Sequence, residues 1–484
     1  MELAQRGLYT PGGYFPYQPV ELEETVGSIY GDIRIDRRLS SILSSVQDQQ
    51  KLSLHQLGNS LAEQKAYYRL MKNEKLEIEK MLSELVSRSM SSASVSHMLL
   101  VQDTSKFLYN HMKGRLIDSH GLGRLQNKNL YGYWLHPSMG LNAEGGFPLG
   151  IYDAQIWTNA DDLASYEARK GQALAYGQKS SSRWSDSVIA VRNRVDPSTR
   201  ITSVADREAD IYESMCEIVG AGCDFLIRSQ HNRNISQSPA KLFDYLAQLP
   251  EQARLKLSLR ADPRSGRIAK REATLALKFG PATLIRGRKA QSSNYLAYPP
   301  NLPLYVIDLQ EVSASSKPIH WRLLTTHVIE SVAQAKQMIQ FYRQRWQVEQ
   351  LFRTMKKKGL QTESIELERG PAIIRMGVIA LEAALRIMQM DQAAKDPEDF
   401  PIDFVFSPLQ IQCLKLICNK YEGKTQKQKN PYAPSNLKWG VWVIARLGGW
   451  KGYASQHRAG PKTFRIGWQK FIQMFEAFEL IYNP

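Results

Sequence analysis

The stretch "RITSVADREADIYESMCEIVGAGCDFLIRSQ", Arg200 to Gln230, passes from a short apolar run to an amphipathic one and back. "RITSVAD" is rich in β-branched residues and reads as a buried strand ending at Asp206. "DIYESMCEIV" reads as a helix, and "CDFLIRSQ" as the next strand. This alternation predicts a mixed α/β domain with a carboxylate at the end of one of its strands.

Working outward, the same texture continues upstream. "HMLLVQD" predicts a buried strand ending at Asp103, "YGYWLHPSMGLN" and "PLGIYDAQIW" predict two more, and "ADDLASYEARKGQALAYGQ" predicts a helix over 160–178. From about Gln230 to Lys317 the pattern becomes β-rich. "ARLKLSLRA" and "TLALKF" alternate strictly around the turn-like "DPRSGR", and "LPLYVIDLQEV" and "HWRLLTT" add two strands. The first part of this stretch is strongly basic. It reads as an insertion into the mixed domain. Up to about residue 75 the chain predicts basic helices, "GDIRIDRRLSSILSSV" and "NSLAEQKAYYRLMKN", the second capped by Asn59 or Ser60. Such helices enter a groove or lie along phosphates; an ordinary solvated surface has the same composition. An apolar helix near residues 371–389 and a final helical region, with "LKWGVWVIARLGGW" ended by Gly448 and Gly449, complete the chain.

The chain has 484 residues and carries 63 Lys and Arg against 47 Asp and Glu, a net charge of +16. That balance suits a polyanionic partner, nucleic acid first. A membrane partner is not expected: no eighteen-residue apolar run occurs, and "MELAQRGLYTPGGYF" lacks an apolar signal core. The four cysteines form no CxxC or zinc-ligand pattern, so reduced thiols are expected.

"FYRQRWQVEQLFRTMKKKG", Phe341 to Gly359, predicts one unbroken helix. At about 100° per residue, Tyr342, Arg345, Glu349 and Lys356 fall within an arc of roughly 60°. A phenol, two cations and a carboxylate occupy what is usually an apolar stripe. An exposed helix also carries Glu349 as an ion-pair partner of Arg345 or Arg353, each four residues away. Carboxylates at two strand ends, joined by one from a helix, hold two divalent cations about 4 Å apart in phosphoryl displacements. Magnesium takes oxygen ligands, so Asp103, Asp206 and Glu349 suffice without histidine. Taken singly, Asp103 also suits a turn cap, and Asp206, Glu208 and Asp210 a helix N-terminus.

On these residues the chain resembles the bacterial cut-and-paste DDE transposases of the insertion-sequence-four type. The family's Tyr-x2-Arg-x3-Glu-x6-Lys signature is matched by Tyr342, Arg345, Glu349 and Lys356, its second-aspartate block by "VADREADIY", and its first by "LLVQDTSKF". "LKWGVWVIARLGGWKG" is similar to the family's C-terminal region. The family's lysine four residues after the glutamate is here Arg353, which keeps the charge with a different geometry. The first seventeen residues have no counterpart.

The resemblance implies an α/β fold: a ribonuclease-H-like catalytic core over 76–229 and 327–395, interrupted by a β-rich insertion over 230–326. A helical DNA-binding domain over 1–75 and a helical dimerisation region over 396–484 flank it. Asp103, Asp206 and Glu349 are implied as the catalytic metal ligands for two Mg2+ ions, with Mn2+ as a substitute. Tyr342, Arg345, Arg353 and Lys356 are implied as phosphate clamps, Arg228 as an arginine near the active site, and Trp321 as the residue that stacks on a flipped base. Arg34, Arg38 and Lys72 are expected to contact DNA from the first helices. The implied activity is excision and insertion of a mobile element by a homodimer that synapses transposon ends and captures target DNA, in the bacterial cytoplasm on the nucleoid. One strand is nicked, the freed 3′-hydroxyl closes a hairpin on the other, the hairpin is opened, and the 3′ ends join target DNA. A nuclease of the same core without strand transfer, and a DNA-binding protein without catalysis, are the alternatives.

Overall fold

β-Branched and apolar residues carry the strands, which in chain order are β1 His97–Gln102, β2 Ser105–Leu108, β3 Gly123–Arg124, β4 Tyr131–Asn142, β5 Pro148–Trp157, β6 Arg200–Ala205, β7 Asp224–Arg228, β8 Ala253–Leu259, β9 Arg271–Ile285, β10 Asn301–Glu311 and β11 His320–Thr325. The computed structural model describes residues 28–49, 51–90, 95–125, 130–158, 176–259, 271–287, 293–313, 318–356, 360–393, 400–452 and 459–482. The chain divides into two units. One comprises Ser96–Asp103 and Lys170–Trp346, the other Met1–Val95, Thr104–Arg169 and Gln347–Pro484.

The first unit is built on a mixed sheet whose strands run in the order β1-β6-β7-β11-β10-β9-β8. β1, β6 and β7 are parallel. β1 and β6 are buried along all but their first residues, as strands covered on both faces are. Helix Tyr212–Gly220 makes the crossover that a parallel β6–β7 pair requires. The remaining strands are antiparallel, and β11 bonds to β7. The β-rich stretch after residue 230 therefore continues the sheet of the parallel strands.

In the other unit β2, β3 and β5 all pair with β4. The long helix Gly370–Ala393 packs on helices Ile33–Gln49, Leu61–Lys72 and Ile78–Met90 and on β5. Its buried charges are matched. Arg375 donates to the carbonyls of Met71 and Leu76, both at 2.6 Å, closing the C-terminal end of helix Leu61–Lys72. Glu382 accepts from Arg88 at 2.6 Å. Helices Leu437–Leu447 and Pro461–Tyr482 meet backbone to backbone, since a Cβ at Gly467 would strike the Ile444 carbonyl. Ser60, not Asn59, caps helix Leu61–Lys72, accepting from the Glu63 amide.

One expectation is corrected. The predicted helix over 341–359 is two helices, Val332–Gln344 and Trp346–Lys356, separated at Arg345. The Arg345 amide turns to the Tyr342 carbonyl three residues back, tightening the last turn and interrupting the regular ladder. The helix expected over 160–178 and the "DPRSGR" turn lie largely outside the described residues. All four cysteines are free and buried. No helix among the described residues is long and apolar enough to cross a membrane.

Candidate active site

Val101 of β1 pairs with Val204 of β6. Two residues on, Asp103 and Asp206 follow the ends of these neighbouring parallel strands at equivalent positions. Ala205 pairs with Ile227 of β7, so the next residue in each strand sets Asp206 opposite Arg228. Adjacent strands lie ~4.8 Å apart, so two carboxylates and a guanidinium line one edge of the sheet, at the carboxyl ends of the strands where α/β proteins bind ligands.

Helix Val332–Gln344 and its following turn bring further groups to this edge. The Arg345 guanidinium lies 3.6 Å from an Asp103 oxygen. It offsets the repulsion between aspartates on adjacent strands. Asp206 accepts the Glu208 amide at 2.9 Å and caps the short helical turn Arg207–Ala209, the N-terminal place one sequence reading gave it; Asp103, read alternatively as a turn cap, is followed by extended β2. Tyr342 is buried and meets the indole of Trp321 edge-on, with ring centroids 5.2 Å apart. Burial pushes the Tyr342 hydroxyl pKa up, while the Arg345 and Arg228 cations oppose the rise. Burial pulls the Arg228 pKa down, against its hydrogen bond to Tyr342. Arg228 also donates to the His320 carbonyl at 2.8 Å, one residue before Trp321. Asp103, Asp206, Arg228, Trp321, Tyr342 and Arg345 are thus tied into one edge of this unit.

In the other unit, Glu349 lies in the first turn of helix Trp346–Lys356, partly exposed, with Arg353 exposed one turn later. Lys356 is held against β2: its ammonium donates to the Ser105 hydroxyl at 2.9 Å and to the Lys106 carbonyl. It also sits 3.8 Å from Glu363 and 4.7 Å over the Phe107 ring. Arg34 is exposed and gripped by Asp32 through two bonds of 3.0 and 2.9 Å, Lys72 lies 3.9 Å from Glu368, and Arg38 is exposed.

Among the described residues no group of three or more His, Cys, Asp or Glu is arranged to hold a metal ion. β1 and β6 supply an adjacent pair of aspartates. That oxygen-only donor set fits a hard divalent cation in kind.

Two residues of this region escaped sequence reading. Trp346 is 56% exposed immediately after Arg345; an aromatic among cations was the available signal. Asp210, read as a helix N-terminal charge, is buried and accepts from the Gln230 and His231 amides, a role the sequence did not show.

Residues 166–379 match the family described as transposase DDE domain, and residues 22–76 the family described as transposase DNA-binding. These two stretches are thus similar to a transposase DDE domain and to a transposase DNA-binding domain. The first spans Asp206, Arg228, Trp321, Tyr342, Arg345, Glu349 and Lys356, while Asp103 precedes the matched residues and is tied to them by strand register. The second spans Arg34, Arg38 and Lys72. Among solved structures, a cryo-electron-microscopy structure of a piggyBac transposase synaptic complex with hairpin DNA is similar, at 9% identity and a TM-score of 0.38, over 80% of this chain and 71% of that one.

Proposed function

We propose that this chain is a DNA transposase of the insertion-sequence-four type, nearest the transposase of transposon five. In this reading it binds transposon ends, cleaves both strands through a hairpin and inserts the element into target DNA. The observation that carries the reading is the register of Asp103, Asp206 and Arg228 at the ends of three adjacent strands, within a chain that matches both transposase families.

In this reading the residues of the site divide the work. Asp103, Asp206 and Glu349 are the residues that would hold divalent cations, Mg2+ first. Bound there, the cations supply charge that stabilises the attacking and leaving oxygens of the displacement. Arg345 and Arg228 place guanidinium charge beside the carboxylates, where the scissile phosphate is positioned. Positioning and charge neutralisation make up most of the catalysis of such reactions. Tyr342 backs Trp321, whose indole receives a base unstacked during hairpin closure. The basic N-terminal helices bind the element's end by its phosphates and groove. The partners in this reading are double-stranded DNA and a second copy of the chain.

The DNA flanking the reading frame supplies the substrate: an end carrying the matched inverted repeat. Incubated with the protein and Mg2+, it should give a nick, then a hairpin, then a flush or short-overhang end. Nicks without hairpins or joined target would support a nuclease of the same core. Binding without any cleavage would support a non-catalytic DNA-binding protein.

A further inference from the structure

The Asp210 side chain is fully buried, 0% exposed, and the steps derived above leave it no task. Its carboxylate accepts from one segment, the residues that follow Arg228. The donors are the amides of Gln230 at 2.7 Å and His231 at 2.9 Å, the Nε of Arg233 at 2.8 Å and, more distantly, the Ser229 hydroxyl at 3.4 Å. A terminal nitrogen of Arg233 also reaches the Asp210 carbonyl. Asp210 itself closes the turn that Asp206 opens, its amide donating to the Arg207 carbonyl at 3.2 Å. One side chain therefore bolts the exit of β7 to the exit of β6.

Burying a carboxylate is costly unless donors and a cation meet it, and apolar packing usually fills such a place at no loss of stability. What a carboxylate adds is direction. Bonds to two consecutive amides fix the peptide planes just beyond Arg228, and charge assistance makes them stiff. Arg228 and Asp206 follow directly on the Ala205–Ile227 pair of β6 and β7, so the distance between these backbone positions depends on how the two exits are joined.

We infer that Asp210 is a positioning residue for strand cleavage: by joining the segment after Arg228 to the turn after Asp206 it sets where the Arg228 guanidinium stands, and it acts through Arg228 without touching DNA. The inference rests on the function proposed above. A double-mutant cycle on the full chain tests it, with single-turnover cleavage at saturating end DNA as one readout and DNA affinity as the other. Asp210→Asn keeps the shape but turns an amide nitrogen toward amide donors. Cleavage should fall about a hundredfold, the scale on which ~1 Å of misplacement acts, with affinity unchanged. In an Arg228→Ala background the same substitution should cost about threefold or less, because the group it positions is gone. Equal losses in both backgrounds, or a parallel loss of affinity, would overturn the inference. Should Asp210→Asn fail to fold, Arg233→Gln, which removes only the cation, enters the same cycle with the same two outcomes. Absence of cleavage by the unmodified chain overturns the proposed function and this inference together, whereas cleavage with additive losses overturns the inference alone.

Discussion

Asp103 and Asp206 stand at equivalent positions on adjacent parallel strands, each two residues beyond the Val101–Val204 pair. Side chains so placed are close enough to share one ligand. If that ligand is a hard divalent cation, exchanging a carboxylate for a thiolate should change the metal preference. Asp206→Cys is expected to lose cleavage in Mg2+ and recover part of it in Mn2+, the softer ion. Cleavage rates in the two metals check this, and an unchanged Mg2+ to Mn2+ ratio would remove Asp206 from the metal site.

Trp321 is anchored from two sides, edge-on against Tyr342 and through the bond of Arg228 to the preceding carbonyl. Hairpin closure bends the backbone sharply and expels a base, whereas the first nick does not. Trp321→Ala should nick at near-normal rates, accumulate nicked ends and form few hairpins. An abasic site at the flipped nucleotide should restore part of the second step. Equal loss of both steps without abasic rescue would make Trp321 a packing residue.

DNA affinity should fall steeply with salt, as a chain of net charge +16 predicts. Arg34→Ala, Arg38→Ala and Lys72→Ala should each weaken binding and flatten the log–log salt slope by about one, leaving the chemistry of bound DNA intact. Asp32 and Glu368 already hold two of these cations, so Asp32→Asn should tighten binding modestly. Titrations of end DNA at several salt concentrations would check both.

At the opposite ends of the strands, His97 and His327 both contact the Thr202 hydroxyl at 2.8 Å. Burial, aided by the Arg200 cation, lowers each pKa from 6.5 to about 4. Unfolded histidines take up protons near pH 6.5 and these only near 4, so protons favour the unfolded chain between those values and stability falls as pH drops through that window. The Tm should decline by a few degrees from pH 7 to pH 5. His327→Gln, which does not titrate, should flatten that decline.

The strands were legible in sequence because parallel strands covered on both faces read as apolar runs: "HMLLVQ", "RITSVA" and "DFLIR" each fall on the strand expected. The carboxylates at their ends were legible for the same reason, as polar residues stopping an apolar run. Strand order was not, since register between Val101 and Val204 depends on tertiary pairing. The break at Arg345 was hidden because the backbone leaves the ladder there with helical torsions and no Gly or Pro. Asp210 escaped because its donors lie about twenty residues downstream, a link that no local pattern carries.

The most direct test of the central claim is metal-dependent cleavage of an end substrate by the unmodified chain and by Asp103→Ala, Asp206→Ala and Glu349→Ala. Here the DNA flanking the reading frame is the substrate, with Mg2+ present or chelated. The unmodified chain should cleave only with the metal, and each variant should bind the end with near-normal affinity yet leave it uncut. Cleavage that survives chelation, or that persists in the Asp103 and Asp206 variants, would contradict the account.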